Sequence, residues 1–300
     1  MTHAEAEPRS VNPTLYLKLS AMTVIWGGTF ISGRIVTQSL GPFSAAFCRY
    51  AIATVMLVAL TRWIEGRLPR LQLSQWPAIV LLGITGVFAY NALFFLGLER
   101  VPASRAALIV TTNPTVIALG AAIAFRHALT PLRLVGIGLG LLGAATVITN
   151  GMPWLIFQGV SRGDLYLVGC VLSWATYSLV GKAVMANLSP FAAITYACLV
   201  GTPMLLGPAL QEGLVADAIA ATPTVWLHEL YLAVLGTVVA FYWYYQGLQQ
   251  LGPAKASIFI NFVPVVAVLL AAVTLGEPLS LSLLVGGALV ISGVFLTNRY

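Results

Sequence analysis

Trp26-Gly27-Gly28-Thr29-Phe30, with Arg34 one turn beyond, has a counterpart 148 residues further on, where Trp174 and Lys182 stand in the same register. At this offset Pro42 also matches Pro190, and Phe43 matches Phe191. The offset then becomes 150: Trp76 pairs with Trp226, Gly86 with Gly236, Gly97 with Gly247, Arg105 with Lys255, Pro114 with Pro264, Gly136 with Gly286 and Gly143 with Gly293. A chain rich in Leu, Ala and Val yields chance matches among those residues, but not aligned Trp, Pro and basic positions. The chain reads as two copies of one unit. Residues 1–150 hold the first, with a short tail at 1–14; residues 164–300 hold the second; a polar stretch, 151–163, connects them.

Both copies belong in a membrane. The 300 residues are 59% hydrophobic and 8% charged, where a soluble domain carries about a quarter charged residues. So few charges cannot cover a water-facing surface, which excludes a disordered chain, a secreted disulfide scaffold and a nucleic-acid-binding module. Cys48, Cys170 and Cys198 lie inside apolar runs without metal spacing and read as small buried hydrophobes. No metal and no cofactor are expected.

A helix needs about 20 apolar residues to cross the ~30 Å hydrocarbon core. Ten stretches qualify: Leu15–Thr37, Pro42–Arg62, Gln75–Gly97, Pro102–Phe125, Pro131–Asn150, Asp164–Ala186, Pro190–Leu210, Val225–Gly247, Ala254–Thr274 and Leu279–Thr297. Turn formers such as Gly41-Pro42, Val101-Pro102 and Ser189-Pro190 separate them, in keeping with proline's tolerance in a first helical turn. The tail before the first span carries Glu5 and Glu7, unlike a cleaved signal peptide. Five spans per copy is an odd number, so the second copy enters from the opposite face. The expected fold is an all-α integral membrane protein, ten transmembrane helices in two inverted five-helix repeats. With both termini inside, ten of the 15 Lys and Arg collect at inner ends and five at outer ends, which favours cytoplasmic termini in a cell inner membrane. The net charge of +6 then reports topology, not affinity for nucleic acid.

This arrangement resembles the drug/metabolite transporter superfamily, in particular its ten-span EamA family. The likeness rests on Trp26–Phe30, on Asn113-Pro114 and Pro264 in the fourth spans, and on Leu275-Gly276-Glu277-Pro278-Leu279-Ser280. The first copy departs from that pattern, with Arg126-His127 where the second has Gly276-Glu277. Within the family the chain is most similar to YddG-type exporters of aromatic amino acids.

Candidate residues for transport follow from residue type and place. Pro114 and Pro264 are expected to kink their helices, leaving the carbonyls of Val110 and Ile260 unpaired beside the substrate path, with Thr111, Asn113 and Asn261 as polar neighbours. Aromatics supply candidate walls: Trp26 and Phe30 on the first span; Tyr90, Asn91 and Phe94 on the third; Trp174, Tyr177 and Ser178 on the sixth; and Trp243, Tyr244 and Gln246 on the eighth. Not every ring of the run Phe241–Tyr245 fits one helical face, and the alternative for each is the membrane-surface belt. Arg34, Arg49, Arg105, Lys182 and Lys255 are expected as cations at the two mouths, where they attract a carboxylate or snorkel to headgroups. Spans 1, 3, 4, 6, 8 and 9 are expected to enclose a central cavity, the fifth and tenth to pack.

No acidic residue falls near the centre of a span, since Glu99, Asp164, Glu229 and Glu277 all stand at span ends, and this favours gradient-driven movement over proton antiport. No catalytic motif appears, and the Gly136-x-Gly138-x-Gly140 run reads as helix packing. The chain is therefore expected to be no enzyme but an exporter of small organic solutes, aromatic amino acids first by resemblance, working by alternating access. Alternatives are a broad metabolite or drug exporter, a proton-coupled antiporter, or, more remotely, a membrane-embedded enzyme, lipid flippase, receptor or scaffold. The expected partners are a small-molecule substrate and the lipid bilayer; oligomeric state is not legible.

Overall fold

A computed structural model describes residues 13–125, 130–184, 188–251 and 259–299, and every regular element among them is helical. In order these are α1 (Pro13–Val36), α2 (Pro42–Glu65), α3 (Trp76–Leu82), α4 (Tyr90–Arg100), α5 (Ala103–Val110), α6 (Asn113–Phe125), α7 (Pro131–Ile148) and a short α8 (Ile156–Gly159). Then come α9 (Arg162–Val184), α10 (Pro190–Glu212), α11 (Leu214–Ala220), α12 (Pro223–Leu230), α13 (Ala240–Leu251), α14 (Val263–Thr274) and α15 (Leu281–Arg299). α3 continues into α4 through a π-helical segment, Gly83–Ala89, and α12 into α13 through another, Tyr231–Val239. Among the described residues, eight helical runs are long and apolar enough to cross a membrane, and two shorter apolar helices, Val263–Thr274 and Leu281–Thr297, follow. The beginning of the expected ninth span, residues 254–258, lies outside the described residues.

Local chemistry sets the boundaries. Pro42, Pro131, Pro190 and Pro223 stand in the first turns of α2, α7, α10 and α12, where the missing N–H has no intrahelical partner to lose. The hydroxyls of Thr130 and Ser189 accept from the backbone N–H of Arg133 and Ala192 and so cap α7 and α10. α2 and α10 end on Gly66 and Gly213, both in the left-handed conformation, which costs glycine no Cβ clash.

The outside is apolar. Leu17, Val55, Ile123, Leu172 and Val273 are exposed within helices, and Trp63, Trp76 and Trp154 are exposed near helix ends, where amphipathic rings sit at headgroup level. All three cysteines are buried and free.

Inside, with no gain from burying oil in oil, helices hold together by close approach and by polar contacts. α2 meets α10 through two hydroxyl pairs, Thr54–Thr202 at 2.8 Å and Thr61–Thr195 at 2.7 Å. Thr54 and Thr202 stand 148 positions apart, the offset of the repeat. α7 meets α15 backbone to backbone. A Cβ on Gly293 would lie 2.4 Å from Gly140 N and 2.5 Å from Gly136 O, and one on Gly143 2.6 Å from Gly286 O. Gly138, between them in sequence, faces open space. The glycine run is thus a packing face, with Gly138 off it.

Gly293→Ala is expected to lower the melting temperature in detergent, as overpacking costs about 1–3 kcal/mol. Gly138→Ala should leave it unchanged or raised, which a paired thermal-shift measurement checks.

Candidate functional site

A cavity of about 730 Å³ lies at the centre of the bundle. Its floor is broken backbone. α5 stops at Val110, residues Thr111 and Thr112 turn, and α6 restarts at Asn113. The second copy repeats the device at Asn261-Phe262, after which α14 begins. The expected mid-helix kinks are therefore full breaks. Pro114 and Pro264 sit in the first turns of α6 and α14, where proline withholds no needed donor. Thr111 N donates to Ala107 O and Thr112 N to Ile109 O, and the hydroxyls of both threonines return to the same carbonyls. Pro114, Thr111, Asn113, Ile260 and Asn261 line the cavity at these breaks, and Pro264 is buried behind them.

The walls are rings in one unbroken series. Tyr244 lies 5.6 Å from Trp26, Trp26 5.4 Å from Phe241, Phe241 6.5 Å from Trp174, and Trp174 5.1 Å from Tyr90. Tyr90 stacks on Phe94 at 6.0 Å, Phe94 meets Phe30 edge-on at 5.4 Å, and Tyr177 lies 5.1 Å from Trp174. Ring centroids in this range attract one another through their quadrupoles. All eight rings line the cavity, as does Ser178, whose hydroxyl donates to Trp174 O.

The π segments, which hydropathy did not reveal, set where these rings stand. Extra residues per turn release carbonyls from the helix ladder. Trp26 Nε1 donates to Gly236 O at 3.0 Å, tying a wall ring to the second π segment. Gly86, in the first, is seated against Tyr177, and any Cβ there would come within 2.2 Å of that ring. The Asn91 amide donates to Gly86 O and Val87 O.

Arg49 departs most from expectation. It does not reach a mouth or snorkel; it is 7% exposed and lines the cavity. Its Nε donates to Thr237 Oγ1 at 3.1 Å and its Nη1 to Asn91 Oδ1 at 3.3 Å, and the guanidinium sits 5.4 Å from the Tyr50 ring. Asn91, fully buried, lines no part of the cavity; it positions Arg49. The other cations serve helix ends. Arg34 donates to the carbonyls of Leu98 and Glu99, capping the C-terminus of α4. Arg105 pairs with Asp164 through two bonds, 2.8 and 2.6 Å. The Lys182 side chain and Lys255 lie outside the described residues. Gln246 accepts from Lys18 Nζ, and Trp243 packs with Leu15, Leu19 and Met22, so neither lines the cavity.

Three contributions were missed. Arg49 and Tyr50 bring α2 into the wall, Ala193 brings α10, and Arg133 and Thr297 bring α7 and α15, which were expected only to pack. Arg133 Nε and Asn113 Oδ1 are buried without a hydrogen-bond partner. A signal existed for Arg133: it precedes Gly136 and Gly140 by three and seven residues, on the face that packs inward. Glu229 was missed as well, although it does not line the cavity. It was placed at a span end, yet seven residues into α12 it is wholly buried, and neither carboxyl oxygen has a hydrogen-bond partner.

Glu277, in the resembling motif, accepts from the N–H groups of Ala103 and Ser104 at 2.7 and 3.0 Å. A carboxylate there satisfies orphan donors and meets the positive end of α5. Glu212 does the same for Phe43 and Ser44 at the start of α2.

Comparison with known proteins follows the same lines. The model of the EamA-like transporter family matches residues 14–149 and again 161–299. The chain is 28% identical to the uncharacterized transporter YyaM of Bacillus subtilis (strain 168), over 93% of this chain and 92% of that one. It is 29% identical to the probable terminal-alkyne amino-acid exporter of Streptantibioticus cattleyicolor, over 92% of this chain and 90% of that one. A crystal structure at 21% identity superposes with a TM-score of 0.66, covering 96% of this chain and 98% of that chain, which shows likeness of fold.

Arg105→Ala strands the buried Asp164 and is expected to cost about 3–5 kcal/mol. The double variant Arg105→Ala/Asp164→Asn should recover part of that loss, measured as a double-mutant cycle in thermal or denaturant unfolding.

Proposed function

The chain belongs to the EamA-like transporter family, and from that premise we propose that it exports small organic solutes, aromatic amino acids foremost, as the YddG-type exporters do. The observation that carries this reading is the unbroken series of rings sharing one cavity with the guanidinium of Arg49. A flat ring slides between such walls, and a carboxylate meets Arg49 in charge-assisted hydrogen bonds. The amino-acid exporter among the relatives supports the same cargo class.

Movement is by alternating access between two inverted five-span repeats, ten spans in all, with both termini in the cytoplasm of a cell with the protein in its inner membrane. Support comes from the paired breaks before Pro114 and Pro264, the paired π segments, and the Thr54–Thr202 contact between equivalent positions. Transport runs down the solute gradient. A second reading, proton-coupled exchange, is favoured by one observation, the buried and unbonded carboxyl of Glu229.

Labelled phenylalanine leaving proteoliposomes tests the proposal. Trp174→Ala and Tyr244→Ala are expected to slow saturable efflux roughly tenfold with unchanged folded yield; equal loss of yield and efflux would mark both as structural. Under an imposed pH gradient, efflux should not change. If it does, and Glu229→Gln removes the response, the proton-coupled reading replaces the gradient-driven one.

A further inference from the structure

The charges facing the cavity are of one sign. Arg49 and Arg133 both line it, and among the described residues no Asp or Glu does. Arg49 spends Nε and Nη1 on Thr237 and Asn91, two neutral groups, and Nη2 carries no hydrogen bond among the described residues. Glu229 lies within electrostatic reach of Arg49, yet no hydrogen bond reaches either of its oxygens, and it does not line the cavity. Arg133 is half-buried, and its Nε is buried without a hydrogen-bond partner among the described residues. A guanidinium held away from water whose hydrogen-bond partners are all neutral is costly, and a carboxylate that bonds to it lowers that cost.

A zwitterionic amino acid would meet this charge at one end only. Its carboxylate has Arg49; its ammonium has no carboxylate to face. Among the buried side-chain atoms of the wall, the acceptor without a hydrogen-bond partner in the described residues is Asn113 Oδ1, which is neutral. The rings offer cation–π contact, worth about 2 kcal/mol when desolvated, but the two guanidinium groups already hold the local potential positive and oppose a third cation.

Resting on the transport reading above, we propose that the cavity selects its cargo as an organic anion: a ring-bearing carboxylic acid recognised through its acid group, with the amine of an amino acid tolerated rather than read. The physiological cargo is then as well an aryl carboxylate or 2-oxo acid as an amino acid.

Three probes that share a phenyl ring and a short side chain separate these possibilities: 3-phenylpropionate has the acid alone, L-phenylalanine the acid and the amine, phenethylamine the amine alone. Their affinities for the purified full chain in nanodiscs are compared at neutral pH, by calorimetry or by quenching of tryptophan fluorescence, since Trp26 and Trp174 line the cavity. The expected result is 3-phenylpropionate binding at least as tightly as phenylalanine and about tenfold or more tighter than phenethylamine. Arg49→Gln should abolish this order. Arg133→Gln should narrow it by roughly threefold, and Arg49→Lys should retain the preference for the acid. These expectations correspond to loss of one charge-assisted contact. Phenylalanine or phenethylamine binding tenfold more tightly than the acid overturns this inference and leaves the aromatic exporter standing. An order of affinities that survives Arg49→Gln and Arg133→Gln also overturns it. Failure of all three probes to bind folded protein overturns it together with the reading on which it rests.

Discussion

Away from water no backbone polar group can be left unpaired, and the centre of this protein is arranged around that requirement. Breaks and loosened turns in the helices set carbonyls free, and side chains answer them, some from another helix and some from the same run. Trp26 donates to Gly236 O, Tyr231 to Ile25 O, Thr23 to Phe259 O, and Asn91 to Gly86 O and Val87 O. Irregular backbone at this depth is tolerable only where protein or a cavity surrounds it. The breaks before Pro114 and Pro264 and the two π segments therefore occupy the same central region as the cavity. The same bonds that relieve the backbone also hold Trp26 and, through Asn91, Arg49 in place.

The sparse charges mostly join one copy of the repeat to the other. Glu212 and Glu277, from the second copy, hold the first turns of α2 and α5 in the first, and Arg105 of the first holds Asp164 of the second. Helix termini are where a charge gains most from unsatisfied backbone and the helix dipole. Any movement that separates the copies at this end must exchange these contacts for others. The residue that the offset of 150 aligns with Glu277 is His127, so the two stretches differ in charge at this position.

Much of the scaffold was legible because it is one-dimensional information. Span length, proline punctuation and the recurrence of Trp, Pro and basic residues at a fixed offset need no knowledge of neighbours. Trp26, Tyr90, Trp174 and Tyr244 could be named as wall candidates from residue type and helical spacing. Trp243 and Gln246 could not be told from them, because adjacent residues on one helix face different partners and only the partners decide which ring meets space. Arg49 was harder. Near a span end, an arginine that snorkels and one that turns inward have the same sequence. What distinguishes them is that Asn91 and Thr237, 42 and 188 positions away, stand ready to accept its hydrogens. Glu229 was misread for a related reason: distance from a helix end does not measure burial when another helix covers that end.

By itself the sequence determined a membrane-embedded helical bundle and its internal repetition, since hydropathy and composition act on each segment independently of its neighbours. The tertiary structure alone decided which charges are buried, which carbonyls are free and which rings face the cavity. Those properties belong to pairs of helices, and a pair exists only once the chain has packed.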